Sequence, residues 1–219
     1  MKELFAKISD LIRNECVSFQ LFLTGSEIEG DSNFIFYMDS EEPLNMKTLS
    51  EFTRHISVLI DEGNFGDIPF TFEVSSPGAD RPLTDVRQYG KHIGRKFQIT
   101  TIDGEEFEAQ LINLINNQTS LIAEWNIAAQ IQLSAQVKAK PKAKPKHTRF
   151  EEQEKYADNR NQVHAPQPKL ATVPEIANGD FPLLLMNKII PVKGKKVNHE
   201  LMALPFNQVK NAIIIISFK

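Results

Sequence analysis

Phe70-Thr71-Phe72-Glu73-Val74-Ser75-Ser76-Pro77-Gly78-Ala79-Asp80-Arg81-Pro82-Leu83 passes from an apolar alternation straight into a stiff, polar turn. Phe70, Phe72 and Val74 alternate with Thr71, Glu73 and Ser75, the period of two of a strand with one buried face. Pro77 fixes its φ and Gly78 leaves φ free, as a tight turn requires. Pro82 withdraws another backbone donor, so Ala79 to Leu83 is expected to be an ordered crossing with few conformations open to it. One folded unit should therefore end here and another begin, dividing the chain into 1–82 and 83–219.

Upstream of this stretch, Leu4, Phe5, Ile8, Leu11 and Ile12 recur at helical spacing and predict an opening amphipathic helix. Cys16 to Leu23 and Phe34 to Met38 read as two strands of a hairpin, joined by the polar turn Thr24 to Asn33 with Gly25 and Gly30 inside it. Asp39 to Pro43 reads as a solvated acidic turn. Leu49, Phe52, Ile56, Leu59 and Ile60 then give a second helix from about Leu44 to Glu62, stopped at Gly63. The order helix, strand, strand, helix, strand describes a two-layer α+β unit.

Downstream, Thr84 is placed to cap a short helix through Tyr89. Strands follow at Lys96 to Thr101, Glu106 to Ile115 and Ser120 to Trp125, with turns at Asp103-Gly104 and Asn116-Asn117. Short strands with brief turns predict a small barrel. The region from about Asn126 to Asp180 carries repeated Lys with Ala or Pro and then Pro166, Pro168 and Pro174, and predicts a mobile insertion within that barrel. Phe181 to Ile190 is apolar enough to dock or to form an additional strand, and Val197 to Leu204 and Lys210 to Phe218 restore strand character around a short helical turn at Pro205 to Val209.

Composition narrows the function. The 219 residues, 41% of them hydrophobic, can fill ordinary cores. Cys16 is the only cysteine, so no internal disulfide and no cysteine metal cage can form, which suits a reducing compartment. The apolar runs Phe181 to Met186 and Ala212 to Ser217 are far too short to span a bilayer, and Met1 to Ile12 lacks the pattern of a signal peptide, so a soluble cytoplasmic protein is expected. The net charge of -3 conceals an asymmetry: residues 1–70 carry -8, residues 71–133 carry -3 and residues 134–219 carry +8. The acidic part suits basic proteins and the basic part suits phosphates.

Glu73-Val74-Ser75-Ser76-Pro77-Gly78 with Asp80-Arg81-Pro82-Leu83 closely resembles the signature of the RimP family, bacterial ribosome maturation factors that assist assembly of the small ribosomal subunit. Gly94-Arg95-Lys96 and Asp103-Gly104 occupy positions where that family has similar residues. The resemblance implies an N-terminal α+β domain followed by an SH3-like barrel, and binding to the immature small subunit and to a basic small-subunit protein near the decoding centre. The chain departs from the family at Asp39 to Pro43, so no role is carried over to that loop.

Two groups of residues are candidates for partner contact. Asp80, Arg81, Arg87, Lys91, Arg95 and Lys96 gather around the expected junction, either to meet a partner or to pin the two units together by capping and salt bridging. Lys138, Lys140, Lys142, Lys144, Lys146 and Arg149 form a run suited to rRNA phosphates or, equally, a linker held open by self-repulsion. No catalytic residue, metal site or cofactor is expected: there is no phosphate-binding Gly-rich loop, and His55, His92, His147, His164 and His199 are scattered without partners at ligand spacing. The competing reading is a general RNA-binding regulator with an Sm-like barrel and a basic arm. Its aromatic residues, Phe97, Phe107 and Trp125, suit core positions equally well.

Overall fold

The computed structural model describes residues 1–63, 65, 68–138, 173–174, 181–192 and 196–216. Helix α1 (Lys2–Glu15) runs into a 3-10 turn at Cys16–Phe19, which closes on Gln20 in the left-handed region. Strands β1 (Phe22–Glu29) and β2 (Asn33–Asp39) pair antiparallel, helix α2 (Met46–Glu62) crosses over, and β3 (Thr71–Ser75) pairs parallel to β2. A parallel partner needs such a crossover, which a hairpin turn cannot supply. Alternation along β2 turns Phe34, Phe36 and Met38 to one face, where they meet Leu4, Ile8 and Ile12 of α1 and Leu49, Phe52 and Ile56 of α2 in one core. Asn45 caps α2, its side chain accepting from Lys47 N at 2.9 Å.

This half corrects one expectation. The first strand lies at 22–29, not at Cys16 to Leu23. The apolar residues of Cys16–Phe19 prolong the helix as a 3-10 turn, and the polar stretch expected to be a loop pairs with β2. Thr24 Oγ1 donates to Tyr37 O at 2.9 Å, and a bulge between Leu23 and Gly25 absorbs the irregularity.

Beyond the Pro77-Gly78 turn, where Gly78 has φ +78, the chain makes two short 3-10 turns, Val86–Gln88 and Gly90–His92. Asp85, not Thr84, caps the first of them. Its side chain accepts from Arg87 N, and the Gln88 side chain reaches back to the backbone N–H groups of Thr84 and Asp85, a reciprocal capping box. Strand β4 (Lys96–Thr101) and β5 (Glu106–Ile115) follow as expected, turning at Gly104 with φ +87.

The next element differs from expectation. Ser120 to Trp125 is not a strand but part of helix α3 (Gln118–Lys138). Asn117 caps it, accepting from Ser120 N at 2.9 Å, and Leu121, Trp125, Ala128 and Ala129 form the buried stripe. The expected mobile insertion therefore starts with ordered helix over 126–138. Residues 139–172 of that insertion lie outside the described residues.

Strands β6 (Leu183–Val192), β7 (Lys196–Pro205) and β8 (Val209–Ile214) complete an antiparallel sheet in the order β7-β6-β5-β4-β8. Leu183, Leu184, Leu185 and Met186 are all buried because both faces of β6 are covered. Leu184 and Met186 join Tyr89, Phe97, Ile99 and Leu111 on one side, while Leu183 and Leu185 join α3 on the other. The barrel expectation is corrected to this extent: among the described residues the sheet is open, with β7 and β8 as edges, and no closed barrel is found.

Candidate functional site

The turn at 77–82 and the two 3-10 turns after it lie against the edge of the first sheet, and their polar side chains reach into it. Arg81 Nη2 donates to Glu27 Oε1 at 3.0 Å and to Tyr37 Oη at 2.8 Å, and its guanidinium carbon stands 3.9 Å from the Tyr37 ring centroid. The Tyr37 hydroxyl donates to Glu27 in turn. That bond first, and the one from Arg81 second, hold the Glu27 carboxyl below its ordinary range; the same contact with Glu27 pushes the Tyr37 hydroxyl up.

Thr84 Oγ1 donates to Thr24 O at 3.0 Å. Arg87 forks onto Asp85, with Nε to Oδ1 at 2.9 Å and Nη2 to Oδ2 at 2.6 Å, and lies flat over Phe22 with 4.0 Å from guanidinium carbon to ring centroid. Its hydrogen bond is the main reason the Asp85 carboxyl sits below its usual range.

Asp39, at the end of β2, is the centre of the junction. Lys91 Nζ pairs with its carboxylate and also donates to Ser40 O at 3.0 Å, while Gln88 Nε2 donates to Asp39 Oδ2 at 2.9 Å. The Lys91 and Asp39 side chains are only 12% and 6% exposed. Asp39 is therefore no part of a solvated turn. A buried pair of this kind adds little net stability over an apolar contact, yet losing one partner strands the other charge, so the pair selects one arrangement. Next to it, burial first and then the charges of Arg95 and Lys91 push the His92 imidazole down.

The structure thus divides the six expected junction residues. Arg81, Arg87 and Lys91 reach the first sheet, the two arginines while still exposed, and Asp80, Arg95 and Lys96 are exposed as well. Lys138 ends α3, and Lys140, Lys142, Lys144, Lys146 and Arg149 lie outside the described residues. Glu27, Tyr37, Asp39 and Gln88 escaped sequence reasoning. Asp39 reads there only as the start of a solvated acidic turn. Among the described residues no group of three or more His, Cys, Asp or Glu is placed to hold a metal ion, and Cys16 is buried, which raises its thiol. No helix among them is long and apolar enough to cross a membrane.

No family model matches the chain. Curated relatives do. Ribosome maturation factor RimP of Cytophaga hutchinsonii is 34% identical over 110 residues, which cover 50% of this chain and 66% of that protein. Ribosome maturation factor RimP of Christiangramia forsetii is 30% identical over 121 residues, covering 55% of this chain and 75% of that protein. The chain belongs to the RimP family. The matches span about two thirds to three quarters of these RimP relatives' own lengths and about half of the present chain. The stretch Glu73 to Leu83 supplies Arg81 to the junction, while its partners Glu27 and Tyr37 come from the strands that precede it.

Proposed function

We propose that the chain is a ribosome maturation factor that binds the immature small ribosomal subunit in the cytoplasm and performs no covalent chemistry. Membership of the RimP family carries this reading, since the matched relatives bear that functional name. The chain acts as two domains, 1–82 and 83–219, presented to the particle in one fixed arrangement. The second is read as an SH3-like domain with a long insertion: its order β7-β6-β5-β4-β8, in which the last strand returns beside the first, supports a barrel that stays open between β7 and β8 among the described residues.

The partners in this reading are the small subunit and a basic small-subunit protein near the decoding centre. Asp80, Arg95 and Lys96 form the exposed contact surface, flanked by Arg81 and Arg87, with Lys91 holding that surface in place. The run Lys138 to Arg149 tethers rRNA phosphates. A factor that prefers one assembly intermediate raises its population and leaves when the mature surface no longer fits.

Sedimentation of cell extracts tests the reading: the protein should travel with free small subunits and be absent from mature ribosomes. Travel with neither, together with steeply salt-dependent binding of naked RNA, would instead establish the general RNA-binding regulator.

A further inference from the structure

A groove of about 570 Å³ opens where the 3-10 turn after α1, the loop from Ser40 to Asn45 and the second half of the chain meet. Its apolar lining, Phe19, Phe22 and Leu44, lies among polar Gln20, Asn45 and Thr48. Phe19 and Leu44 are partly buried there, and Phe22 forms the base beneath Arg87. At its rim Val17 is 75% exposed, an unusual position for a branched apolar side chain immediately beside an exposed acidic loop. Glu41 and Glu42 are exposed on the opposite lip. The lining cation, Arg87, is already matched by the bidentate contact with Asp85. Glu41 and Glu42 outnumber Arg87, which also attracts Glu41, so the lining is net negative, within a segment, residues 1–70, that carries -8.

An apolar lining with an anionic lip selects for a ligand that is apolar and cationic at once. Nucleic acid fails on charge, and an acidic or purely polar peptide fails on one count or both. We propose that this groove docks a lysine- and arginine-rich protein segment that buries a large apolar side chain against Val17, Phe19 and Leu44 while its cations meet Glu41 and Glu42. Because Arg87 comes from beyond the Pro77 to Pro82 crossing, the groove is complete only when both halves hold the arrangement described. Docking and orientation are thereby linked. The inference rests on the proposed function only for the natural source of the segment, the basic ribosomal protein.

The test uses the full chain and a fluorescent peptide alternating lysine with leucine, followed by anisotropy. That peptide should bind, one alternating lysine with glycine should bind about tenfold more weakly, equivalent to about 1.4 kcal/mol, and one alternating glutamate with leucine should not bind. Val17→Ser, and Glu41→Lys combined with Glu42→Lys, should each weaken binding by about tenfold at unchanged melting temperature. Glu29→Lys with Asp31→Lys, which makes the same change of net charge at the far end of β1, should leave it nearly intact. Equal binding of the glycine peptide, or equal loss with the far-end pair, would reduce the effect to unspecific charge and overturn the proposal. So would an RNA oligonucleotide whose binding falls with Val17→Ser. Failure of these tests in a protein that still sediments with small subunits removes the groove alone. Intact peptide specificity in a protein absent from those fractions removes the maturation reading alone.

Discussion

Tyr89 is buried in the core of the second sheet, stacked 5.8 Å from Phe97, and its hydroxyl has no hydrogen-bond partner among the described residues. Burial alone pushes that hydroxyl far up. Removing an unpaired buried hydroxyl relieves a desolvation penalty, so Tyr89→Phe should raise the unfolding free energy by about 1 kcal/mol in urea titration; a fall of that size would mean the hydroxyl is paired. His92 carries the sign of the pH dependence. Its folded pKa is lowered from 6.5, chiefly by burial, so the neutral imidazole is the form the fold favours. The associated stability is present above about pH 6.5 and is lost as pH falls through that value toward the folded pKa. Asp85, also lowered, contributes in a separate window: its share is intact above its usual 3.8 and fades below it. Urea midpoints measured against pH should show the first decline near 6.5, and His92→Gln should flatten that step while leaving the more acid one.

Elements defined by one strong period were legible from residues alone. The limits of β4 and β5 follow from the alternation in Lys96 to Thr101 and Glu106 to Ile115 and from the Asp103-Gly104 turn. Two elements were obscured by competing patterns. The polar residues Thr24 to Glu29 look like loop because that strand's polar side chains find partners across the sheet, Thr24 on Tyr37 and Glu27 on Arg81. Helix α3 was hidden because it is almost uncharged and its polar and apolar residues are spread over every face, Ile122, Ile127 and Ile131 being exposed, so its buried stripe of Leu121, Trp125 and Ala128 does not stand out. Trp125, the only tryptophan, makes this correction measurable. Its emission should be blue-shifted in the native protein, and Trp125→Ala should cost about 3 kcal/mol; a solvent-like emission maximum would show that α3 is not docked. The candidate site was legible as a group of basic residues, but not its acceptors, which lie about fifty positions earlier in the chain. Lys91→Met leaves the buried Asp39 carboxylate without a cation, held by Gln88 and the Ser40 N–H alone, and should cost about 3 kcal/mol, whereas Lys91→Met combined with Asp39→Leu should recover much of it. Equal losses in the single and double variants would argue against a coupled pair.

At the scale of the molecule, the core of the first sheet and the two cores on either face of the second are joined by a short stretch whose side chains reach across from Arg81, Thr84, Gln88 and Lys91. Polar contacts are directional, so together they specify an angle between the sheets where an apolar contact of equal area would allow sliding. The Pro77-Gly78 and Pro82 backbone limits the alternatives. Leu83 N donating to Ala212 O at 2.9 Å anchors the far end of the crossing to β8. A ribosomal intermediate would then meet one preset shape, and Arg87 would stay in place to complete the groove. Backbone amide NMR relaxation of the full chain tests this most directly. The two sheets should report a single rotational correlation time, and Arg81→Ala combined with Asp39→Ala should split it in two; distinct correlation times in the unmodified protein would contradict a fixed junction.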